Sequence, residues 1–565
     1  MPARLRQAPG IGGQVLSGMT AEEVHLLRYT TPMITSWRSH ATLLMLFGTF
    51  IVSFVAFFLM QRSPVFADPD SFYHARMGVL TSEQFAVRQF PWLPFTTLGQ
   101  HYIDQHWLYH VLLVPFVTLM DPLAGIKLAT VFFAALLITT VVWFLMRQGV
   151  RQAWLWGAVL LAATPFTFRM SLAKAPSLSL ATLIIGISFL FAGKRWGSFF
   201  LAWFFVLLYG GFFVLIAAAG IYLAVSMAYD LIQHWTLRGR IRDALHKPWW
   251  TLRGMRHYRP LQVFGCALGG AAVGTIANPF FPNTFNFLWE QAIQIGVVNY
   301  RNIIGVGGEW YPYGITSFIG NNVVVVIPFI IALILAFVFF RRTTTRGWTL
   351  VLLAFFFTIF TLKSRRYVEY AVPFLALAAA VTIGDVVRAA DWQRLKGMVV
   401  ESWQKRRVIT ILLGLYLAVS IPYIIARDQR SNYRNLTSGV NATHFQASAT
   451  WMAQHSQPGD VVFHSDWDDF PVLFYYDTVN AYIAGLDPTF LYRQDQERYW
   501  AWAKTTLGER RDNLAEAFDL FNTKWILIEK DHTAMDQNVR DVPGVALAYE
   551  DSEVRIYSWQ SPTTP

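Results

Sequence analysis

Two aspartates one residue apart, Asp68 and Asp70, stand shortly after the first long apolar run of the chain, residues 43–60. The carboxylates of an Asp-x-Asp motif can converge on one divalent cation, or one can act as a base that the other orients. Aromatic residues, His74 and Arg76 follow the motif. Carboxylates are costly inside hydrocarbon, so we expect the motif where the chain leaves a membrane, where plain solvation of both acids is the simpler alternative.

The composition places most of the chain in lipid. Of its 565 residues, 54% are hydrophobic and only 14% are charged, against about 25% charged in soluble domains. The net charge of +11 does not indicate nucleic-acid binding, because the basic residues lie mostly between apolar runs. The single cysteine, Cys266, excludes an intrachain disulfide and a cysteine-clustered metal site. We therefore predict a polytopic α-helical membrane protein that contacts membrane lipids and no nucleic acid.

The order of apolar runs and basic loops predicts about eleven transmembrane helices. Residues 1–40 carry four arginines and are expected in the cytoplasm, with no cleavable signal peptide. The transmembrane domain, residues 41–426, has external loops at 61–123 and 278–314 and its most basic inner loop at 233–260. Residues 105–120 are apolar but short, so we expect a helix along the membrane surface, with His106 and His110 as surface polar residues rather than metal ligands.

Residues 427–565 are less apolar and predict an extracytoplasmic α/β domain. Strands are expected at 461–463, 525–528 and 554–557, a helix at 497–521, and turns at 458–460 and 543–544. An acidic and aromatic turn, 466–470, follows the first of these strands. Trp467 and Asp468 in this turn could contact an acceptor, although solvated acids at a strand end are the simpler interpretation.

The predicted topology gathers charged residues on the outer face of the membrane. They are Asp68, Asp70, His74, Arg76, Arg169, Lys174, Glu309, Lys363, Arg365 and Arg366. Basic residues outside run against the positive-inside rule, so we predict that those from Lys363 to Arg366, with Arg169 and Lys174, hold a lipid-linked phosphate or pyrophosphate. The alternative is that these residues neutralise Glu309 and the aspartates, or lipid headgroups.

The ordered set of motifs resembles the GT-C superfamily of membrane glycosyltransferases. The stretch from Asp68 to Arg76 is similar to the first-loop motif of oligosaccharyltransferase catalytic subunits. There the leading aspartate, matching Asp68, helps to hold a divalent metal beside the acceptor. The pairs Asn278-Pro279 and Glu309-Trp310 and the basic stretch 363–366 resemble bacterial GT-C-like proteins. The resemblance covers residues 40–426 and implies a GT-C-like transmembrane fold.

The chain also departs from the oligosaccharyltransferase pattern at two places. The next external loop, residues 167–176, has no carboxylate where those enzymes carry a second acidic pair. Their Trp-Trp-Asp-Tyr-Gly motif is replaced by Asp-Trp-Asp-Asp-Phe at 466–470. Recognition of a peptide sequon is therefore not expected. Two chemistries stay open: a Mg²⁺ or Mn²⁺ ion held by Asp68, Asp70 and Glu309, or a metal-free transferase with Asp68 or Asp70 as its base.

The resemblance implies an inverting glycosyltransferase on the outer face of a bacterial cytoplasmic (inner) membrane. Its donor would be a sugar on polyprenyl phosphate or pyrophosphate, and its acceptor a glycan, lipid or protein. His74, Trp310, Trp467 and Asp468 are the expected acceptor contacts. Two other classes use the same charges without chemistry: a transporter or flippase for lipid-linked precursors, and a non-catalytic cell-envelope assembly protein. The sequence shows no inverted repeat and no carboxylate at mid-bilayer, which disfavours the transporter.

Overall fold

A computed structural model describes residues 21–238, 258–388 and 392–562, and shows a helical bundle followed by a mixed α/β region. The first half of the bundle comprises α1 (Ala21–Gln61), α2 (Asp70–Gln84), α3 (Thr97–Gln100), α4 (Trp107–Leu119), α5 (Pro122–Arg147), α6 (Ala153–Ala162), α7 (Thr164–Met170), α8 (Pro176–Phe191), α9 (Arg195–Leu208) and α10 (Phe213–Arg238). The second half comprises α11 (Arg259–Ile276), α12 (Thr284–Trp289), α13 (Ile315–Asn321), α14 (Val323–Val338), α15 (Thr345–Lys363), α16 (Val368–Arg388) and α17 (Trp392–Leu436).

Every apolar run predicted to span the membrane contains a helix. Five helices are long and apolar enough to cross a membrane, and α13 with α14, bent by 98°, makes a sixth candidate. Four shorter apolar helices, α4, α6, α8 and α9, have 10–17 residues. The described residues thus show a helical membrane protein with five or six candidate spans, and the larger span count stays a prediction.

Two features of the bundle differ from the simplest interpretation of the apolar runs. The run at 153–166 is divided at Ala163, because Pro165 is compatible only with the first turn of a helix and therefore starts α7. The predicted domain boundary at residue 427 falls inside α17, which continues to Leu436. Most of the predicted basic inner loop, 233–260, and residues 1–20 of the N-terminal segment lie outside the described residues.

The C-terminal region contains a five-stranded sheet, with strands β3 (Val461–His464), β4 (Ala481–Tyr482), β5 (Thr523–Glu529), β6 (Val545–Glu550) and β7 (Val554–Trp559). Their order in the sheet is β4-β3-β5-β7-β6. The parallel neighbours of β3 are β4 and β5, whereas β7 is antiparallel to β5 and β6. All three predicted strands are present, and β4 and β6 were missed.

The helices of the C-terminal region are α18 (Gln446–His455), α19 (Phe470–Tyr476), α20 (Thr489–Gln494), α21 (Gln496–Thr506), α22 (Leu514–Leu520) and α23 (Thr533–Arg540).

The prediction of one continuous helix over 497–521 was wrong. The segment forms α21 and α22, which are separated by a turn. Gly508 and Asn513 in that turn have φ angles of 71° and 59°. Those left-handed values are compatible with glycine and asparagine but not with a continuing right-handed helix.

The loop predicted to be external, residues 61–123, is packed against the C-terminal region. Strand β1 (Val65–Phe66) pairs antiparallel with β2 (Val440–Asn441), immediately before the aspartate motif. The Trp92 indole donates a hydrogen bond of 2.8 Å to the carbonyl of Thr478, and Arg76 donates one of 3.1 Å to the Thr478 hydroxyl. These contacts hold α2, and with it the aspartates at its start, against the α/β region.

The topology is tested by labelling single cysteines with a membrane-impermeant maleimide in a Cys266→Ser background. Gln152 lies between α5 and α6, Ser552 lies between β6 and β7, and both are exposed. We expect Ser552→Cys to react in intact cells or spheroplasts and Gln152→Cys to react only after lysis. The reverse pattern, or the same accessibility at both positions, would contradict the predicted orientation.

Candidate functional site

The aspartate motif forms the start of α2 and is closed by a lysine. The Asp68 side chain accepts a hydrogen bond of 2.9 Å from the backbone nitrogen of Asp70, which satisfies one of the free donors at the helix start. Lys174, in the turn between α7 and α8, places its Nζ 2.7 Å from Oδ2 of Asp68 and 2.7 Å from Oδ2 of Asp70. One ammonium group thus bridges the two carboxylates.

Burial and charge set the protonation of this cluster. Burial raises the pKa of Asp70 to about 6, although the neighbouring Lys174 counteracts the rise. Burial alone would lower the pKa of Lys174, but the two aspartates outweigh it and hold that pKa above its usual range. Lys174 is therefore a fixed positive charge, whereas Asp70 changes its charge near pH 6.

A second cluster of charges surrounds Glu309. Arg169 NH1 lies 2.6 Å from one carboxylate oxygen of Glu309, and Arg366 NH1 lies 3.0 Å from the other. Arg169 also donates through NH2 to Glu369, at 2.8 Å. Burial opposes ionisation of Glu309, but Arg366, Arg169 and Lys174 hold its pKa well below the usual range. Glu309 is thus a permanent anion shared by two guanidinium groups.

Side chains that donate to backbone carbonyls fix the turn that carries Glu309, Gly308–Trp310. The Ser364 hydroxyl donates to the Glu309 carbonyl at 2.9 Å, and Asn299 donates to the Trp310 carbonyl at 3.0 Å. The Arg366 guanidinium lies 5.0 Å from the centre of the Trp310 ring, a distance typical of a cation–π contact. The turn and the basic stretch after α15 therefore form one unit.

Two cavities adjoin at Glu309 and Arg366, which line both. The larger, about 750 Å³, lies between α7, the turn at 308–314, α13 and the 427–435 part of α17. Four arginines and two carboxylates line it: Arg169, Arg365, Arg366, Arg427, Glu309 and Asp428. The smaller, about 120 Å³, contains Asp70, Lys174, His74 and Trp310 in its wall. The structure thus brings Asp70, Glu309 and most of the predicted basic residues to two adjoining cavities, whereas Asp68 lines neither of them.

Other predicted site residues lie elsewhere or have different contacts. Lys363 donates to the Val297 carbonyl and is absent from the walls of both cavities, as are Trp467 and Asp468. The Trp467 ring lies beside Gly307. Asp468 is an exposed residue, and partial enclosure together with the negative charge of Asp70 raises its pKa.

The carboxylates do not fit a divalent metal in this arrangement. A metal held by Asp68 and Asp70 would occupy the space where Lys174 Nζ bridges them. Both oxygens of Glu309 are bonded to arginines. Within the described ranges, no three His, Cys, Asp or Glu side chains are grouped as metal ligands. Lys174 supplies the positive charge at this position instead.

The prediction that His106 and His110 are surface polar residues was wrong for His110, whose side chain is fully buried. Its Nδ1 lies 2.6 Å from Oδ2 of Asp104 and its Nε2 lies 2.8 Å from Nδ1 of His74. Asp104, two positions before His106, is thus buried together with His110. The sequence spacing placed the two histidines on one helix but gave no sign that His74 would meet them.

Glu369 was also missed. It follows Arg366 by three positions and is 1% exposed at the start of an apolar helix. The sequence indicates Glu369 only by its position at the start of an apolar run, because a carboxylate there needs a cation beside it.

Replacing Lys174 tests whether an ammonium group excludes a metal. Lys174→Ala leaves two carboxylates converging without a cation, so we expect Mn²⁺ binding to appear, as measured by electron paramagnetic resonance. Wild-type protein should bind no Mn²⁺ here, and Lys174→Arg should resemble wild type. Stoichiometric Mn²⁺ binding by wild type that Asp68→Asn abolishes would contradict the role of Lys174.

No protein-family model and no curated protein matches the chain. Among solved structures it is similar to the archaeal oligosaccharyltransferase AglB from Archaeoglobus fulgidus, in complex with an inhibitory peptide and a dolichol-phosphate. That match has 13% identity, 92% of this chain and 75% of that chain covered, and a TM-score of 0.59. It is also similar to ArnT from Cupriavidus metallidurans bound to undecaprenyl phosphate. That match has 15% identity, 90% of this chain and 97% of that chain covered, and a TM-score of 0.53.

A third match is the arabinofuranosyltransferase AftD from Mycobacteria, with 13% identity, 91% of this chain and 40% of that chain covered, and a TM-score of 0.51. The three similarities extend over nine-tenths of this chain and include both the bundle and the α/β region. At such low identities it is the fold that is shared. The chain therefore has the fold of these solved transferases, as the resemblance to the GT-C superfamily implied.

Proposed function

We propose that this protein is a membrane glycosyltransferase that moves a sugar from a polyprenyl phosphate or pyrophosphate to an acceptor on the outer face of the cytoplasmic membrane. The observation that carries the proposal is the pair of adjoining cavities. One has an excess of arginines and the other contains Asp70, and Arg366 and Glu309 lie in the walls of both. A donor phosphate and an acceptor hydroxyl would meet at this junction.

The larger cavity suits the donor. Its volume lies within the range of small-molecule sites, and its four arginines exceed its two carboxylates. Arg169 is committed to Glu309 and Glu369, but Arg365 has no carboxylate partner within the described ranges. Guanidinium groups match phosphate oxygens in geometry and charge. Structures of the same fold are bound to dolichol-phosphate and to undecaprenyl phosphate, which supports a polyprenyl carrier.

The smaller cavity suits the acceptor. An acceptor oxygen entering it would lie near Asp70, Lys174 and His74. Attack of this oxygen on the anomeric carbon forms the new C–O bond, while the bond from that carbon to the phosphate oxygen breaks with inversion. Arg365 and Arg366 would stabilise the negative charge that develops on the leaving phosphate. The acceptor proton must pass to a base. The sequence motif indicates Asp68 or Asp70, and of these two Asp70 lines the cavity.

A transporter and a non-catalytic assembly protein are the two other candidate functions. The ion pairs are compatible with both, because Lys174, Arg169 and Arg366 neutralise carboxylates, as the alternative interpretation of the basic residues expected. A transporter or an assembly protein would use such a neutralised cavity to hold a lipid without any product. These classes become the better account if the carrier lipid binds and no sugar is transferred.

Sugar transfer is measured in membranes supplied with labelled polyprenyl-linked sugars. We expect Asp68→Asn and Asp70→Asn each to lower the rate by about 100-fold or more, because each removes a charge that holds Lys174 at the acceptor end. Asp512→Asn, at an exposed position in the turn before α22, is the matched control and should transfer at the wild-type rate. Unimpaired transfer by the double variant Asp68→Asn, Asp70→Asn would overturn the proposed site.

Carrier binding is measured separately by titrating purified protein with undecaprenyl phosphate. We expect Arg365→Met and Arg366→Met to weaken binding by about 10–100-fold each, the loss of one charge-assisted hydrogen bond. Arg430→Met, exposed on α17 and outside the cavity wall, is the control. A substitution of Arg169 would not test carrier binding, because it would leave Glu369 buried without a cation and lower the free energy of unfolding by about 3–5 kcal/mol. Equal affinities for all three variants would contradict the donor site.

A further inference from the structure

A buried chain of three side chains leads from the protein interior to the smaller cavity. Asp104, His110 and His74 are 3%, 0% and 5% exposed. Asp104 Oδ2 lies 2.6 Å from His110 Nδ1, and His110 Nε2 lies 2.8 Å from His74 Nδ1. His74 belongs to the wall of the cavity, one helical turn after Asp70 on α2. The chain therefore ends where the acceptor would bind.

The hydrogen bonds fix which nitrogen of each ring carries a proton. An ionised Asp104 only accepts, so His110 must donate from Nδ1, and a neutral His110 then offers a lone pair at Nε2. His74 donates to that lone pair from Nδ1, which leaves the lone pair of a neutral His74 on Nε2. This Nε2 has no hydrogen-bond partner among the described residues. The resting chain thus presents a proton acceptor at the cavity.

We propose that the Asp104–His110–His74 chain, rather than Asp70, accepts the proton of the acceptor hydroxyl. This inference rests on the proposed function. As the acceptor oxygen bonds to the anomeric carbon, its proton goes to His74 Nε2, and the His74 Nδ1 proton passes to His110 Nε2. The electron pair of the broken glycosidic bond leaves on the phosphate. The positive charge comes to rest on His110, 2.6 Å from the Asp104 carboxylate.

The second proton transfer explains why a chain is needed. Burial and the neighbouring His110, His106 and Lys174 hold the pKa of His74 well below its usual range, so His74 alone would be a poor proton acceptor. Passing the charge to His110 places it beside an anion instead of in an apolar wall. His74 is therefore the catalytic residue, and His110 and Asp104 are positioning residues that stabilise the transferred charge.

Asp70 has a different role in this account. Its Oδ2 is bonded to Lys174 at 2.7 Å, as is Oδ2 of Asp68. Taking a proton would weaken the bridge that holds Lys174. Asp70 thus fixes the ammonium group at the acceptor end, and the proton passes to the neighbouring histidine. Titratable and charged groups facing the chain from the elements packed on it are Asp70, Tyr73, Tyr102, His106, Tyr109 and Lys174.

Asp104→Asn is the sharpest test, because it removes the charge and keeps an oxygen for the hydrogen bond from the His106 backbone nitrogen. We expect kcat to fall by about 10²–10⁴-fold, with undecaprenyl phosphate affinity unchanged within about twofold. The acidic limb of the kcat/KM profile should move to lower pH, because the chain loses the anion that favours its protonated form. Asp104→Glu should restore part of the rate.

His74→Ala provides the second variant, with His101→Asn, an exposed position of the same loop, as its control. Added imidazole should restore transfer to His74→Ala and leave the control unchanged. Wild-type rates in Asp104→Asn, or an acidic limb that Asp70→Asn abolishes and Asp104→Asn does not move, would overturn the proton chain alone. Absence of transfer by the wild type would overturn the proposed function itself. If Asp104→Asn fails to bind the carrier, rescue of His74→Ala by imidazole decides the result.

Discussion

The structure depends on the mutual neutralisation of charges that are enclosed between membrane helices and the α/β region. Its members are Asp68, Asp70, Glu309, Glu369, Lys174, Arg169 and Arg366. Leaving any one of the buried members without a partner costs about 3–5 kcal/mol, a large part of the stability of an ordinary protein. The ion pairs therefore tie together α2, α7, α16 and the turn at Gly308–Trp310, which come from distant parts of the chain.

Glu309 is central because it divides the enclosed charge into two compartments. Its carboxylate pairs with Arg169 and Arg366, whereas Arg365 makes no ion pair with Glu309 and lines the larger cavity. Lys174 is drawn the other way, to the aspartates. A phosphate group would then meet arginines on one side of Glu309, while a hydroxyl group on the other side would meet a lysine, a carboxylate and a histidine. In the proposed function, donor and acceptor would then bind side by side, with Glu309 and Arg366 in the walls of both cavities.

The sequence predicted the elements more completely than it predicted the pairings. Apolar runs located the helices, and short β-branched runs located β3, β5 and β7, because both patterns are local. β4 has only two residues and β6 is largely exposed, so neither carries a clear pattern. Most of the charged residues that the predicted topology gathers on one face line the two cavities, but Asp68, Arg76 and Lys363 do not. For Lys174 two interpretations stayed open, a phosphate ligand or a neutralising partner of the carboxylates. Its bridge between the two aspartates depends on how α2 packs beside α7 and α8, which no local pattern records.

The most direct test of the account is a cryo-electron microscopy structure of the wild-type protein with undecaprenyl phosphate and Mn²⁺ added together. We expect the phosphate in the larger cavity against Arg365 and Arg366, and the Lys174 ammonium group between Asp68 and Asp70 with no metal density there. A metal ion between the two aspartates, with Lys174 displaced, would contradict the account. So would a phosphate bound away from both arginines.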